Sequence, residues 1–194
     1  MVGATIPNIA LVWNWQTNAW AFRDLPNAHF AASGVIDATA TETFDSKTAT
    51  FDSYTDPFNF SEYTQASHRL LIASSATKLY LADASKQFSS TDYRAYISRE
   101  GMDFDSPESI KLIQSIRPIF DGGAGDIVNI YVGGTDDMRD AVTWADPVPF
   151  EIGETYQADF LEAWRYIAVK FETTTQATWR LKSYEIEYEI AGRY

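Results

Sequence analysis

The sequence contains no cysteine and only two histidines among its 194 residues. The absence of cysteine excludes disulfide bonds, thiol nucleophiles and thiolate metal sites. No apolar run approaches the roughly 18 residues that a membrane-spanning helix needs. Basic residues are also scarce, because 15 Lys and Arg stand against 27 Asp and Glu, which gives a net charge of −12. This balance argues against a nucleic-acid-binding protein, since positive potential is needed to neutralise phosphates.

Motifs that would indicate catalysis or cofactor binding are missing as well. The sequence has no G-x-S-x-G nucleophile elbow, no P-loop and no H-E-x-x-H motif. A pair of carboxylates suited to glycoside hydrolysis is positioned by the fold and not by spacing, so a hydrolase stays an alternative without named residues. We therefore predict a protein that is not an enzyme, with no catalytic residue, no metal site and no cofactor.

Aromatic residues are abundant, with 6 Trp, 11 Tyr and 12 Phe. Aromatic and β-branched residues favour strands, and glycine and proline are spread through the chain as turn signals. The sequence therefore predicts an all-β fold. Near residue 90 the pattern changes from paired aromatic hairpins to short strands separated by turns. We predict propeller-blade-like β-hairpins over 1–90 and a β-sandwich-like domain over 91–194.

The first hairpin is predicted from two β-prone runs, 9–15 and 19–26, on either side of a polar turn. Alternation places Trp20 and Phe22 on one face of the second run, while Leu11 alternates with Val12 on the first. We interpret the aromatic residues as buried in a blade or at an interface, and stacking on sugar rings is the alternative. The blade motif consists of Trp13, Trp15, Trp20, Arg23 and Asp24.

A long polar segment, 37–66, separates this hairpin and a third strand over 31–36 from a second hairpin, 69–73 and 78–83. Loops of this length are usually functional or disordered. We expect contact with another chain to order this segment, because such segments bind by burying a few aromatic side chains. The candidate interface aromatics are Phe44, Phe51, Tyr54, Phe58, Phe60 and Tyr63.

Four strands are predicted in the second part before the last strand. The first, 93–98, ends at Glu100-Gly101, and two others cover 127–132 and 166–171. Residues 110–120 fit either a helix or a strand, and we favour the strand, partly on the resemblance described below. The strand face would then consist of Ile110, Leu112, Ile116 and Phe120.

The last strand changes parity. Trp179 and Leu181 are apolar at odd positions, whereas the next four apolar residues, from Tyr184 to Ile190, occupy even positions. A bulge or break near Lys182-Ser183 is therefore required. The residues between them form a like-charged outer row that should face water, a pore or a basic partner. This candidate acidic face consists of Glu185, Glu187 and Glu189.

Two stretches of the chain resemble a known family. The first covers 13–27, where a strand ends in Asn14-Trp15 and an aromatic strand returns to close in Arg23-Asp24-Leu25-Pro26-Asn27. The second is an ordered series of short motifs at 99–105, 116–118, 132–134, 141–144, 165–171, 179–181 and 191–194. Both are similar to the C-terminal portion of the tail nozzle of short-tailed bacteriophages, also called tail tubular protein B or packaged-DNA stabilisation protein.

The resemblance implies a non-enzymatic virion protein of the phage tail or neck. Such proteins build a ring, usually sixfold, that contributes to tail assembly and to DNA retention or passage without sequence-specific binding. The implied partners are further copies of the chain and other tail proteins, such as the adaptor and a fibre or spike. A negative wall suits a DNA conduit, so the acidic face is expected to lie near the passage. The alternative is a carbohydrate-binding or receptor-binding module of a phage tail.

Overall fold

The computed structural model describes residues 5–35, 68–82, 84–88 and 91–193. These residues form strands and turns without a helix, so the predicted all-β class is confirmed. In these ranges no helix has the length and apolarity that crossing a bilayer requires. The six aromatic residues predicted as interface anchors in 37–66 lie outside the described residues. The chain divides into two compact units, Met1–Ser89 and Ser90–Tyr194.

The first unit contains the two predicted hairpins. Strands β1 and β2 form a two-stranded antiparallel sheet, and β3, β4 and β5 form a separate three-stranded antiparallel sheet. A small core of Ala28, Ile72 and Ala82 is covered by Leu25 and Tyr80. Neither sheet reaches the four strands of a propeller blade within the described part of the unit. The strands are β1 (Ile9–Asn14), β2 (Ala19–Asp24), β3 (Ala28–Val35), β4 (His68–Ser74), β5 (Leu79–Leu81) and β6 (Gln87–Phe88).

The second unit is built from two antiparallel sheets. One has the order β11-β10-β14-β8, with β12 also paired to β10, and the other has the order β13-β9-β15. Its strands are β7 (Thr91–Asp92), β8 (Ala95–Met102), β9 (Ser109–Gly122), β10 (Ile127–Thr135), β11 (Thr143–Trp144), β12 (Val148–Glu151), β13 (Ala158–Trp164), β14 (Tyr166–Thr173) and β15 (Trp179–Arg193).

One hydrophobic core joins the two sheets of the second unit. Ile113 and Ile116 of β9 are fully buried in the same cluster as Val128 and Ile130 of β10 and Ile167 of β14. The ring of Phe120 contacts the rings of Phe150, Phe171 and Trp179 at centroid distances of 5.5–5.8 Å. The unit is therefore a β-sandwich, with side chains of both sheets packed between them.

Strand β9 confirms the strand prediction for 110–120 but corrects the predicted face. Ile113 and Ile116 are both fully buried although they are three residues apart. Gln114 has no opposite residue in β15, because Ser115 pairs with Glu187 and Ile113 pairs with Tyr188. This bulge reverses the parity of the strand, so the prediction that Ile110 and Leu112 share the core face of Ile116 is wrong.

The end predicted for the strand at 93–98 is also wrong. Strand β8 continues through Glu100-Gly101 to Met102. Met102 pairs with Ile167 and Arg99 pairs with Val169, so two residues of β8 oppose only Ala168. Gly101 adopts a φ of 72°, which glycine tolerates and which is typical of a bulge. The glycine therefore bends the strand instead of ending it.

The parity change predicted near Lys182-Ser183 is confirmed. Leu181 pairs with Phe120 and Ser183 pairs with Ile119, which leaves Lys182 as the extra residue of a bulge in β15. Leu181 and Tyr184 consequently both pack against the core despite their opposite parity. The glutamates at 185, 187 and 189 then share the outer face of the strand.

Candidate interaction surface

The β1–β2 hairpin and its turn carry all three aromatic residues of the blade motif, and each of them is exposed. The two strands pair antiparallel from Ile9 opposite Asp24 to Asn14 opposite Ala19. At the turn the Oδ1 atom of Asn14 accepts hydrogen bonds from the backbone N–H groups of Gln16 and Thr17, at 3.0 and 3.3 Å. Asn18 closes the turn at a φ of 51°, a conformation that asparagine tolerates well.

The register of this hairpin brings the aromatic residues of both strands to one face, together with Ile9 and Leu11. Trp13 lies opposite Trp20, and Leu11 lies opposite Phe22. The two indole rings stack with a centroid distance of 5.6 Å and an interplanar angle of 18°. The Nε1 atom of Trp13 donates a hydrogen bond to Oδ1 of Asn18 at 3.2 Å. We call the resulting surface the hairpin face, and it consists of Ile9, Leu11, Trp13, Trp20 and Phe22.

The hairpin face is open to solvent. The exposed fraction of its side chains ranges from 39% at Ile9 to 76% at Phe22, with Trp20 at 61%. Trp15 lies in the turn beyond β1 and is 71% exposed. The interpretation that these tryptophans are buried in a blade of their own chain is therefore wrong. A contiguous exposed apolar patch marks an interaction site, and a lone two-stranded hairpin is marginally stable without further packing.

The other two residues of the blade motif lie at the border of this surface. Arg23 opposes Ala10 on the opposite face of the hairpin and is half-buried, whereas Asp24 opposes Ile9 at the end of the hairpin face and is exposed. The opposite face also carries the small side chains of Ala19 and Ala21. Val12, opposite Ala21, is the one bulky apolar residue on this second face, so all the aromatic groups of the two strands lie on the hairpin face.

The acidic row predicted on the last strand is exposed on β15. The Oε2 atom of Glu187 accepts hydrogen bonds from Nη2 of Arg117 at 2.6 Å and from Oγ of Ser115 at 2.9 Å. The Oε2 atom of Glu189 accepts a hydrogen bond from Nε2 of Gln114 at 3.2 Å. A guanidinium of the neighbouring strand thus compensates part of the like-charge repulsion within the row. That the row lies near a DNA passage stays a prediction.

An open groove of about 390 Å³ lies beside β8 and β15. Its lining residues are Arg99, Met102, Phe104, Ser183, Tyr184 and Ile186. A glycosidase cleft needs two carboxyl groups flanking the scissile bond, and none of the described residues that line this groove carries a carboxylate. In the described ranges no three His, Asp or Glu side chains are grouped in a way that could hold a metal ion.

Lys111 is the one described group with a clearly perturbed pKa, and it is fully buried. Burial lowers the pKa of its ammonium group, and the nearby carboxylates Asp103 and Glu108 oppose that shift only in part. The Nζ atom donates hydrogen bonds to the backbone carbonyl oxygens of Ser106, at 2.5 Å, and Arg165, at 2.8 Å. A group with a perturbed pKa is a candidate for catalysis. The two hydrogen bonds of Lys111 instead indicate a structural role, because they hold the loop at Ser106 and the turn at Arg165 against β9.

Comparison with known proteins adds no relative from which a site could be transferred. No protein-family model matches the chain, and no curated protein matches it either.

Proposed function

We propose that the chain is a structural protein of a bacteriophage tail or neck and that it assembles with further copies of itself through the hairpin face. The observation that carries this proposal is the set of five contiguous apolar side chains on β1 and β2, all at least 39% exposed. Aromatic residues are enriched in the cores of protein interfaces. Covering the hairpin face with a neighbouring protein would also stabilise a hairpin that has little support from its own sheet.

The geometry of the hairpin face favours a protein partner over a sugar. Trp13 and Trp20 stack on each other, so each ring covers one side of the other and leaves less free surface for a sugar ring. The Nε1 donor of Trp13 is already used by Asn18. Ile9 and Leu11 extend the face as aliphatic surface, which suits a packed protein interface. A carbohydrate-binding or receptor-binding module of the tail remains the alternative function.

The acidic composition supports a location next to a channel through which DNA moves without being bound. Each contact of a lysine or arginine with a phosphate adds binding energy, and this chain has a net charge of −12. In the proposed nozzle-like ring the neighbours are the adaptor and a fibre or spike, and DNA passes without sequence-specific contacts. Repulsion by the wall acts over about 8 Å at physiological salt.

The assembly half of this proposal is tested with the variant W13S/F22S and the matched control A19S/A21S. The control makes the same number of changes to serine on the opposite face of the hairpin. Because truncating aromatic anchors at an interface removes most of its binding energy, we expect W13S/F22S to weaken self-association at least tenfold in sedimentation velocity. The control should sediment like the parent chain.

Two results would count against the proposal. Self-association that is equal in W13S/F22S and in the control would remove the hairpin face from the interface. Quenching of tryptophan fluorescence by a polysaccharide, lost in the same variant, would favour the receptor-binding alternative. The virion assignment has its own test, which is the detection of peptides of this chain in purified particles of the phage that encodes it.

A further inference from the structure

Strand β15 is the longest strand that the structure describes, and one of its edges has no partner strand among the described residues. It spans fifteen residues, and among the described residues it pairs only with β9. An edge strand of this length presents a row of backbone N–H and C=O groups that can pair with another chain. The charges along β15 therefore indicate which kind of strand fits this edge.

The charges on the outer face of β15 change sign along the strand. Arg180 and Lys182 come first, and the acidic row of Glu185, Glu187 and Glu189 follows. If two copies of β15 paired in parallel, like charges would lie side by side. In an antiparallel pair, the basic end of one strand lies against the acidic row of the other. The strand is thus complementary to a second copy of itself in one orientation only.

We propose that two copies of this chain pair through β15, antiparallel about a two-fold axis at Tyr184. The pairing joins the two β13-β9-β15 sheets edge to edge into one sheet of six strands. This contact is isologous, because the same edge is used by both copies. It goes beyond the proposed function, which rests on a different surface in the other unit.

The bulge in β15 determines which residues meet. With the axis at Tyr184, Glu185 lies opposite the partner's Ser183, and Lys182 is the extra residue on each strand. Beyond the bulge, Glu187 lies opposite the partner's Arg180 and Tyr188 lies opposite the partner's Trp179. Every pair keeps both side chains on the same face of the sheet, as an antiparallel ladder requires.

Neighbouring registers are less favourable for electrostatic reasons. An axis at Glu185 would place that carboxylate directly beside the partner's Glu185. An axis at Ser183 would bring the two bulged Lys182 side chains together. Like charges directly opposite each other destabilise a sheet, so both registers are disfavoured. The axis at Tyr184 avoids both contacts between like charges and places Arg180 opposite a glutamate of the partner.

Glu187 and Tyr188 are exposed at the proposed contact, whereas Trp179 is half-buried against the core and offers only its outer part. Glu187 contacts Arg117 and Ser115 through its Oε2 atom, so the Oε1 atom is the one that the partner's Arg180 would reach. Tyr188 stacks on Phe104 at a centroid distance of 4.6 Å and is still 40% exposed. Pairing would cover part of this exposed ring with the partner's Trp179. The contact therefore combines an ion pair on the outer face with aromatic packing on the inner face.

The experiment reverses the two charges separately and together. It is carried out in the full-length W13S/F22S chain, so that only the β15 contact is scored and its failure leaves the hairpin-face proposal untouched. We expect R180E and E187R each to raise the dimer dissociation constant at least tenfold, since each places like charges in contact across the strand pair. E187R also removes the ion pair of Glu187 with Arg117 in its own chain, so R180E is the cleaner of the two single variants. The combination R180E/E187R should restore it to within about threefold of the starting chain.

E189R is the control for the register, because it reverses a charge in the same row at a position that does not oppose Arg180; Glu189 is bonded to Gln114 and Glu187 to Arg117. R180E should not rescue E189R. Failure of R180E/E187R to restore dimerisation, or equal rescue of E189R, would overturn the proposed register. A monomeric W13S/F22S chain at high concentration would overturn the pairing itself.

A second measurement covers the case in which a charge reversal prevents folding. Because the chain has no cysteine, single cysteines can be placed without background. Directly opposed residues of an antiparallel pair have Cα atoms about 4.5–5.5 Å apart, which a disulfide can bridge. A mixture of S183C and E185C chains should cross-link under oxidation, whereas each variant alone should not. No cross-link in the mixture would overturn the proposal.

Discussion

Replacing Gly134 with alanine is expected to destabilise the second unit by about 3 kcal/mol or more, at the upper end of overpacking effects. Gly134 lies in β10 opposite Thr143 on one side and Ile167 on the other. A Cβ atom at this position would lie closer than 3.0 Å to the Cβ atom of Trp164 and to the backbone carbonyl oxygen of Tyr166. Since β10 is hydrogen-bonded on both sides, its backbone cannot move away without breaking the ladder.

Gly192→Ala is the control for this substitution. Gly192 lies in β15, and a Cβ atom there would have no other atom within 4 Å. We expect its free energy of unfolding to stay within about 0.5 kcal/mol of the parent chain. Urea denaturation followed by near-ultraviolet circular dichroism measures both variants. Equal stability of G134A and G192A would show that β10 and Trp164 do not pack as described.

The second prediction concerns the buried ammonium group of Lys111. Lys111→Met keeps an unbranched side chain but leaves the carbonyl oxygens of Ser106 and Arg165 without this donor. Because each unsatisfied buried acceptor costs about 1–3 kcal/mol, we expect a loss of about 2 kcal/mol after the burial of the methionine is taken into account. The matched control is Lys182→Met on the exposed bulge of β15, which should change stability by less than about 0.5 kcal/mol.

The effect of Lys111→Met should also depend on pH. Burial holds the pKa of Lys111 below its ordinary value of 10.5 in the folded chain. Between these two pKa values the unfolded chain binds more protons than the folded chain, so the parent chain gains stability as the pH rises. The methionine variant lacks this gain. We therefore expect the difference in unfolding free energy between parent and variant to be larger at pH 10 than at pH 7, and a smaller difference at pH 10 would contradict the assignment.

The alternation of polar and apolar residues predicted the bulge in β15 but not the one in β9, because the alternation is clear only in β15. In β15 the apolar side chains form two sets of clear parity, with Glu185 and Glu187 between members of the second set. In β9 apolar residues occur at both parities, and the core position at 111 is filled by a lysine. Alternation cannot reveal a bulge where polarity does not alternate. Only the pairing with β15 shows that Gln114 is the extra residue.

The hairpin face could be predicted only in part. Alternation places Trp20 and Phe22 on one face, but it does not fix which residues of β1 lie beside them. That depends on the register, which brings Leu11 and Ile9 into the same surface. Whether such a face is buried depends on the rest of the fold or on another chain. The alternation of polar and apolar residues is the same for a buried face and for an exposed one. The sequence therefore pointed to the tryptophans but did not decide between burial in a blade and exposure at an interface.

We expect the hairpin face to lie in a contact between protein subunits. Electron cryo-microscopy of the assembled full-length chain tests it most directly, because the map shows what covers Trp13, Trp20 and Phe22. We predict an oligomer in which these three side chains pack against a neighbouring copy. An oligomer with all three side chains facing solvent, or a particle containing a single copy at every concentration tested, would contradict it.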